Sequence, residues 1–186
     1  MSSFGTLITA GIMAVMIMLV LAQGSYIIQA GIRTYNEGVE ALRYSISLER
    51  TVLRILGITP QSGTTIHLEI KNVGSYSIPV AHFDRMEIFV VGTLENYTYP
   101  TVVRVPFDQL SIGKEGWRVV SVLTNGVMGE ALNPINLPYT SKGKWDPSEE
   151  LVIMVNLDRE HALNLTYPIN IIVVAPNGAS TTDGGF

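Results

Sequence analysis

Apolar positions along this chain fall into three regimes, and each predicts a different element. Residues 4–32 hold no Lys, Arg, Asp, Glu or His. About 20 apolar residues span the roughly 30 Å hydrocarbon core of a bilayer as a helix. Gln23, Ser25 and Gln29 soften the last third of the run, so residues 7–22 form its deepest part. A secretory signal peptide carries a positive start and a shorter apolar run ending at a small-residue cleavage site. No positive side chain precedes this run, which is also too long, so it reads as a retained anchor or an assembly helix. A buried helix of a soluble core would be shorter and would carry a polar face.

In the second regime apolar residues recur at three and four spacing. They are Ile32, Tyr35, Val39, Leu42, Ile46, Leu53 and Leu56, with Glu49 in the one remaining place. That is a heptad-like stripe on a helix continuous with the apolar run. Arg33, Glu37, Glu40, Arg43, Arg50 and Arg54 cover its other faces. The two segments together predict a helix of about 50 residues, roughly 75–80 Å long at about 1.5 Å per residue. Gly57 is the expected stop, reinforced by Pro60. The stripe is either the helix's contact with the domain that follows or a packing seam for other copies of the helix.

From Thr64 onward the period becomes two. Ile66, Leu68 and Ile70 alternate with His67, Glu69 and Lys71, the pattern of a half-buried strand with a solvated His67 on its outer side. Further strands are predicted at 76–80, 83–91, 101–105, 117–124, 151–157 and 169–175. In the second of these Met86, Ile88 and Val90 share a face; in the fourth, Trp117, Val119, Ser121 and Leu123 do. Pro100 and Pro106 bracket 101–105 and mark it as an edge. The stretch 125–144, rich in Gly, Pro and Asn, reads as irregular. The fold class expected is α+β: an anchor and stem helix over 1–57, an antiparallel immunoglobulin-like β-sandwich over 58–178, and a flexible tail over 179–186.

Composition narrows the function. The chain has 186 residues and a formal charge of −4. About 150 residues remain beyond the anchor, enough for one domain with its own core. Mild acidity without a basic patch argues against nucleic acid. There are no cysteines, which excludes disulfides, thiolate nucleophiles and Cys-based zinc sites. The chain also lacks a phosphate-binding glycine loop, a dinucleotide fingerprint, a paired-His zinc motif and a Gly-x-Ser-x-Gly elbow. His67, His82 and His161 are scattered, and Asp158-Arg159-Glu160-His161 reads as a connecting turn. Calcium takes six to eight oxygen ligands, and Asp146-Pro-Ser-Glu-Glu lacks the alternating Asp/Asn pattern for it. No catalytic, metal or cofactor-binding residue is expected, and no cofactor.

Asn96-Tyr-Thr and Asn164-Leu-Thr are N-glycosylation acceptors by pattern, both in loop-like positions. They favour a sandwich lying outside the membrane. Arg33, Arg43 and Arg50 pull the other way by the positive-inside rule, which loses force where a long domain follows.

Four segments carry a family resemblance: IHLEIKNVGSYSI at 66–78, FDRMEIFVVG at 83–92, WDPSEELVIMV at 145–155 and YPINIIVVAPNGA at 167–179. An apolar helix, an amphipathic stem and a sandwich with an Asn-x-Gly strand end, a Trp-x-Pro-Gly-Glu turn and a late Asn-Gly turn resemble the archaeal type IV pilin-like proteins, the archaellins and their relatives. Ser148 stands where glycine is usual. Residues 1–3 offer no Lys/Arg-Gly processing site before Phe4, so the chain looks most like the archaellum accessory proteins of the F type, whose anchor stays uncut. The resemblance implies a membrane-anchored sandwich, binding to the surface-layer protein, pairing with accessory protein G, and a stator role. A homo-oligomer is expected, with Val120, Val122, Ile172 and Val174 pointing away from the first core face and the 101–105 edge as partner surface. The alternative is a filament subunit whose 4–56 helices pack into a shaft.

Overall fold

The computed structural model describes residues 2–109, 115–128, 135 and 142–184. It forms two units, Met1–Ser45 and Ile46–Phe186.

Helix α1 runs over Ser2–Arg50, 49 residues or about 74 Å at 1.5 Å each. Between Ile8 and Ile28 its apolar side chains are exposed on every side, from Ile8 at 50% to Tyr26 at 74%. A surface that is apolar all round belongs in lipid or inside an assembly. The helix is long and apolar enough to cross a bilayer. Ser25 Oγ donates to the Leu21 carbonyl at 2.9 Å, so this hydroxyl is satisfied within the helix.

In the second unit α1 ends and a sandwich begins. The strands are β1 (Leu53–Ser62), β2 (Thr65–Asn72), β3 (Ile78–Pro79), β4 (Glu87–Thr93), β5 (Pro100–Val105), β6 (Gly116–Thr124), β7 (Val127–Met128), β8 (Lys144–Trp145), β9 (Glu149–Asn156), β10 (Asn170–Val174) and β11 (Ser180–Gly184). One sheet has the order β1-β2-β9-β6-β7, the other β11-β10-β4-β5, and β3 pairs with β8 alone. Pairing between these strands is antiparallel throughout. Ile66, Leu68, Ile70, Leu151, Ile153 and Val155 from one sheet face Ile88, Val90, Val103, Ile171 and Val173 from the other, all buried. Trp117 sits among them with Phe83 at 6.0 Å and Phe107 at 4.6 Å between ring centroids. The expected α+β class with a β-sandwich is the observed one, and β5 is an edge strand.

Several boundaries differ from expectation. The helix stops at Arg50, not Gly57, so Leu53 and Leu56 leave the stripe and belong to β1. Residues 53–58 satisfy both periods: Leu53 and Leu56 suit a helix, whereas Leu53, Ile55 and Ile58 point into the sandwich and are buried. Burial of Ile55 against a sheet outweighs helix propensity, which is a weak prior. Gly57 lies at a register shift in β1.

The expected tail is instead β11, held along β10 from Ala175 onward, with Gly178 at φ +86° making the turn. Residues 80–85, read partly as strand, are a 3-10 turn. A bulge between Val119 and Ser121 inserts one residue and inverts the pleat of β6. Val119 and Val122 therefore pack on the core, against the expected grouping, while Val120 is exposed. His67 is half-buried rather than solvated, because β1 and β9 flank it on the outer face. Most of 129–141 within the expected irregular stretch lies outside the described residues. Its described start is an Asn125-Gly126 turn with φ +53° and +76°, the backbone of a two-residue hairpin joining β6 to β7.

Candidate functional site: the joint between helix and sandwich

The last turn of an α-helix leaves carbonyls without intrahelical partners. Here the sandwich supplies them. The Arg50 carbonyl accepts from the backbone N–H of Ser75 at 2.8 Å and of Tyr76 at 3.2 Å. The Ser47 carbonyl accepts from Asn177 Nδ2 at 2.8 Å and from Thr51 Oγ1 at 2.7 Å. Asn177 Nδ2 also reaches Thr51 Oγ1 at 2.7 Å, and the Val52 carbonyl takes the N–H groups of Val73 and Gly74. Net contributions of about 1 kcal/mol each are ordinary for such bonds, and together they hold residues 47–52 to the loops at 73–76 and 177.

Two loops do this holding, and both come from segments that carry the family resemblance. Asn72-Val73-Gly74 presses so close that a Cβ on Gly74 would lie 2.3 Å from the Arg50 oxygen and 2.5 Å from the Val52 nitrogen. Asn72 is fully buried; its Nδ2 donates to the carbonyls of Tyr76 at 2.8 Å and Trp145 at 3.3 Å, and its Oδ1 accepts from Gly74.

The turn after β8 locks onto the same place. Ser148 N–H donates to the Asn72 carbonyl at 2.7 Å, and Trp145 Nε1 donates to the Glu149 carbonyl at 3.0 Å. The Glu149 carboxylate accepts from Asp146 N–H at 2.8 Å, so this acid, 2% exposed, ties a turn. Glu150 is paired with Lys71 at 2.8 Å. Ser148 sits at φ +74°, which explains why glycine suits this position. Asn72, Trp145 and Asn177, far apart in sequence, thus converge at the entry of the helix.

The opposite end of the sandwich gathers the other polar residues. Asp158, Arg159 and Glu160 line an open cleft with Thr64, Thr65 and Asn156, and Arg159–His161 form a 3-10 turn. His161 Nδ1 pairs with Glu115, whose carboxylate also takes the Asp158 N–H at 3.4 Å. Both sequons lie at this end: Asn96 follows β4, and Asn164 N–H bonds the Thr93 carbonyl. Asn96 is exposed, whereas Asn164 is half-buried and its Oδ1 accepts from Thr166 N–H at 3.1 Å and Thr166 Oγ1 at 2.7 Å. Among the described residues no three His, Asp or Glu groups stand close enough to share a metal.

Along α1 the stripe residues Ile32, Tyr35 and Leu42 are exposed by 56%, 71% and 61%, and Ile46 by 39%, while Val39 is half-buried. Sequence reasoning missed the holding residues Ser47, Thr51 and Asn177. Asn-Gly at 177–178 was legible only as a turn, since its partner lies 130 residues upstream.

No protein-family model matches the chain. No curated protein matches it either. Among solved structures it is similar to the "Archaellum periplasmic stator protein complex FlaF and FlaG from Sulfolobus acidocaldarius", at 17% identity and TM-score 0.47 over 72% of this chain and 87% of that one. It is also similar to the archaellum periplasmic stator protein FlaG from the same organism, at 18% identity and TM-score 0.47 over 73% of this chain and 99% of that one. A third similar structure is the archaeal flagellum of Methanospirillum hungatei strain JF1, at 13% identity and TM-score 0.54 over 95% of this chain and 90% of the other. The chain is therefore similar in fold, through helix and sandwich alike, to a protein of an archaeal flagellum.

Proposed function

We propose that this chain is a non-catalytic component of the archaellum, held in the cell membrane by α1 with its sandwich outside the cytoplasm. Its role in this reading is that of a stator, anchoring the motor to the surface layer. The observation that carries the reading is the joint. A stator passes force from a lipid-held helix to a protein-gripping module, and here the carbonyls of Ser47 and Arg50 are held by two separate loops. The sandwich offers an edge strand, β5, and outer-face side chains Ile172 and Val174 for partners. An unpaired edge is a usual place for a sheet to recruit another chain. Surface-layer protein, accessory protein G and a second copy are the partners proposed. The acceptor triplets at Asn96 and Asn164 fit an outside location.

The test is retention of surface-layer protein on the detergent-solubilised full chain. Retention abolished by changes along β5 supports the stator reading; no retention under any condition refutes it. The second reading, a filament subunit, is favoured by the fold likeness to the archaeal flagellum across 95% of the chain. Isolated fibres composed mainly of this chain would establish it instead.

A further inference from the structure

The stem of α1 carries a pattern more specific than an apolar stripe. With Ile32 as position a of a heptad, the a positions are Ile32, Val39 and Ile46, all β-branched. The d positions are Tyr35 and Leu42, and Glu49 at the next d ends the seam. β-Branched residues at a with leucine at d favour two parallel strands.

The flanks decide the direction. Positions g are Gly31, Gly38 and Ser45, while positions e are Asn36, Arg43 and Arg50. In a parallel pair each e residue lies beside the partner's preceding g residue, so Arg43 meets Gly38 and Arg50 meets Ser45. In an antiparallel pair e faces e, and the arginines of the two helices confront each other. Like charges at such positions are destabilising.

We infer that this stem pairs with the stem of a second copy of the chain as a parallel, in-register, two-stranded coiled coil. Two heptads alone are too short to pair stably in water, since isolated helices below about 12–15 residues are marginal. Lipid confines the adjoining apolar runs in one orientation and raises their effective concentration. The inference rests on the membrane-held reading and is independent of the stator role.

The chain has no cysteine, so single cysteines report contact without background. Ile32→Cys, Val39→Cys and Ile46→Cys are introduced one at a time into the full chain, reconstituted in lipid vesicles and oxidised. All three form disulfide-linked dimers, because facing a positions fall within disulfide reach, and Arg33→Cys and Glu37→Cys do so at least about tenfold less. Equal linkage at Arg33→Cys or Glu37→Cys, linkage at only one a position, or a trimer in native mass spectrometry overturns the pairing. Vesicle-bound chain with no linkage overturns it alone. Chain that never enters the vesicles overturns the membrane-held reading as well.

Discussion

Replacing Gly74 with alanine tests the joint most sharply. The new Cβ would sit 2.3 Å from the Arg50 oxygen and 2.5 Å from the Val52 nitrogen, both backbone atoms that no rotamer change can move aside. Relief requires the 73–76 turn to withdraw, which weakens the bonds that Ser75 and Tyr76 make to Arg50. Overpacking costs about 1–3 kcal/mol. Two weakened hydrogen bonds add about 1 kcal/mol each, for a loss of about 4 kcal/mol. For a unit of this size that lowers Tm by roughly 8–16 °C. Both tryptophans, Trp117 and Trp145, are buried in the sandwich, so their fluorescence follows its unfolding without a contribution from α1. Gly57→Ala is the control: its Cβ would meet only Glu69 Oε2 at 3.9 Å, an ordinary contact. The control leaves Tm unchanged or slightly raised, since alanine loses less entropy on folding than glycine. A Gly74→Ala chain melting within 2 °C of the parent (about 1 kcal/mol or less) would refute the close approach on which the joint is built.

Three further outcomes are expected. Asn72→Ala removes the donor to the part-buried Tyr76 carbonyl and the buried Trp145 carbonyl and lowers stability by about 2–3 kcal/mol, read as a fall in urea midpoint at unchanged slope. Ser148→Gly relieves a left-handed backbone and raises stability by about 1 kcal/mol in the same titration. In chain purified from an archaeal host, Asn96→Gln and Asn164→Gln each remove one glycan mass; intact masses free of glycan in the parent would remove that support for an outside sandwich.

Much of the fold could be read from spacing because burial here follows simple periods. The runs at 66–70, 86–90, 151–157 and 169–175 alternate or stay apolar, and all supply core residues. Reading failed where one residue satisfied two patterns or where a local insertion reset the phase. Leu53 suits both a helix stripe and a strand, and only the sheet partner Asn72 decides between them. At Val120 a single bulged residue exchanges the faces of everything downstream in β6. The tail 180–184 is polar and short; pairing with β10 makes it a strand, and nothing in its own composition does so. The joint was half legible. Its Asn-x-Gly, Trp-x-Pro and Asn-Gly turns stand out as motifs, but that two of them hold the end of one helix, and the third locks onto Asn72, is a fact of topology.

The central claim is that α1 is held in lipid while the sandwich lies outside the cytoplasm. An epitope placed after Phe186 of the full chain, expressed in an archaeal cell, tests it directly. In the proposed arrangement the chain stays in the membrane pellet after alkaline carbonate washing, and antibody reaches the epitope on intact cells stripped of their surface layer. Chain recovered freely dissolved from the cytosol, or an epitope reached only after lysis, would contradict it.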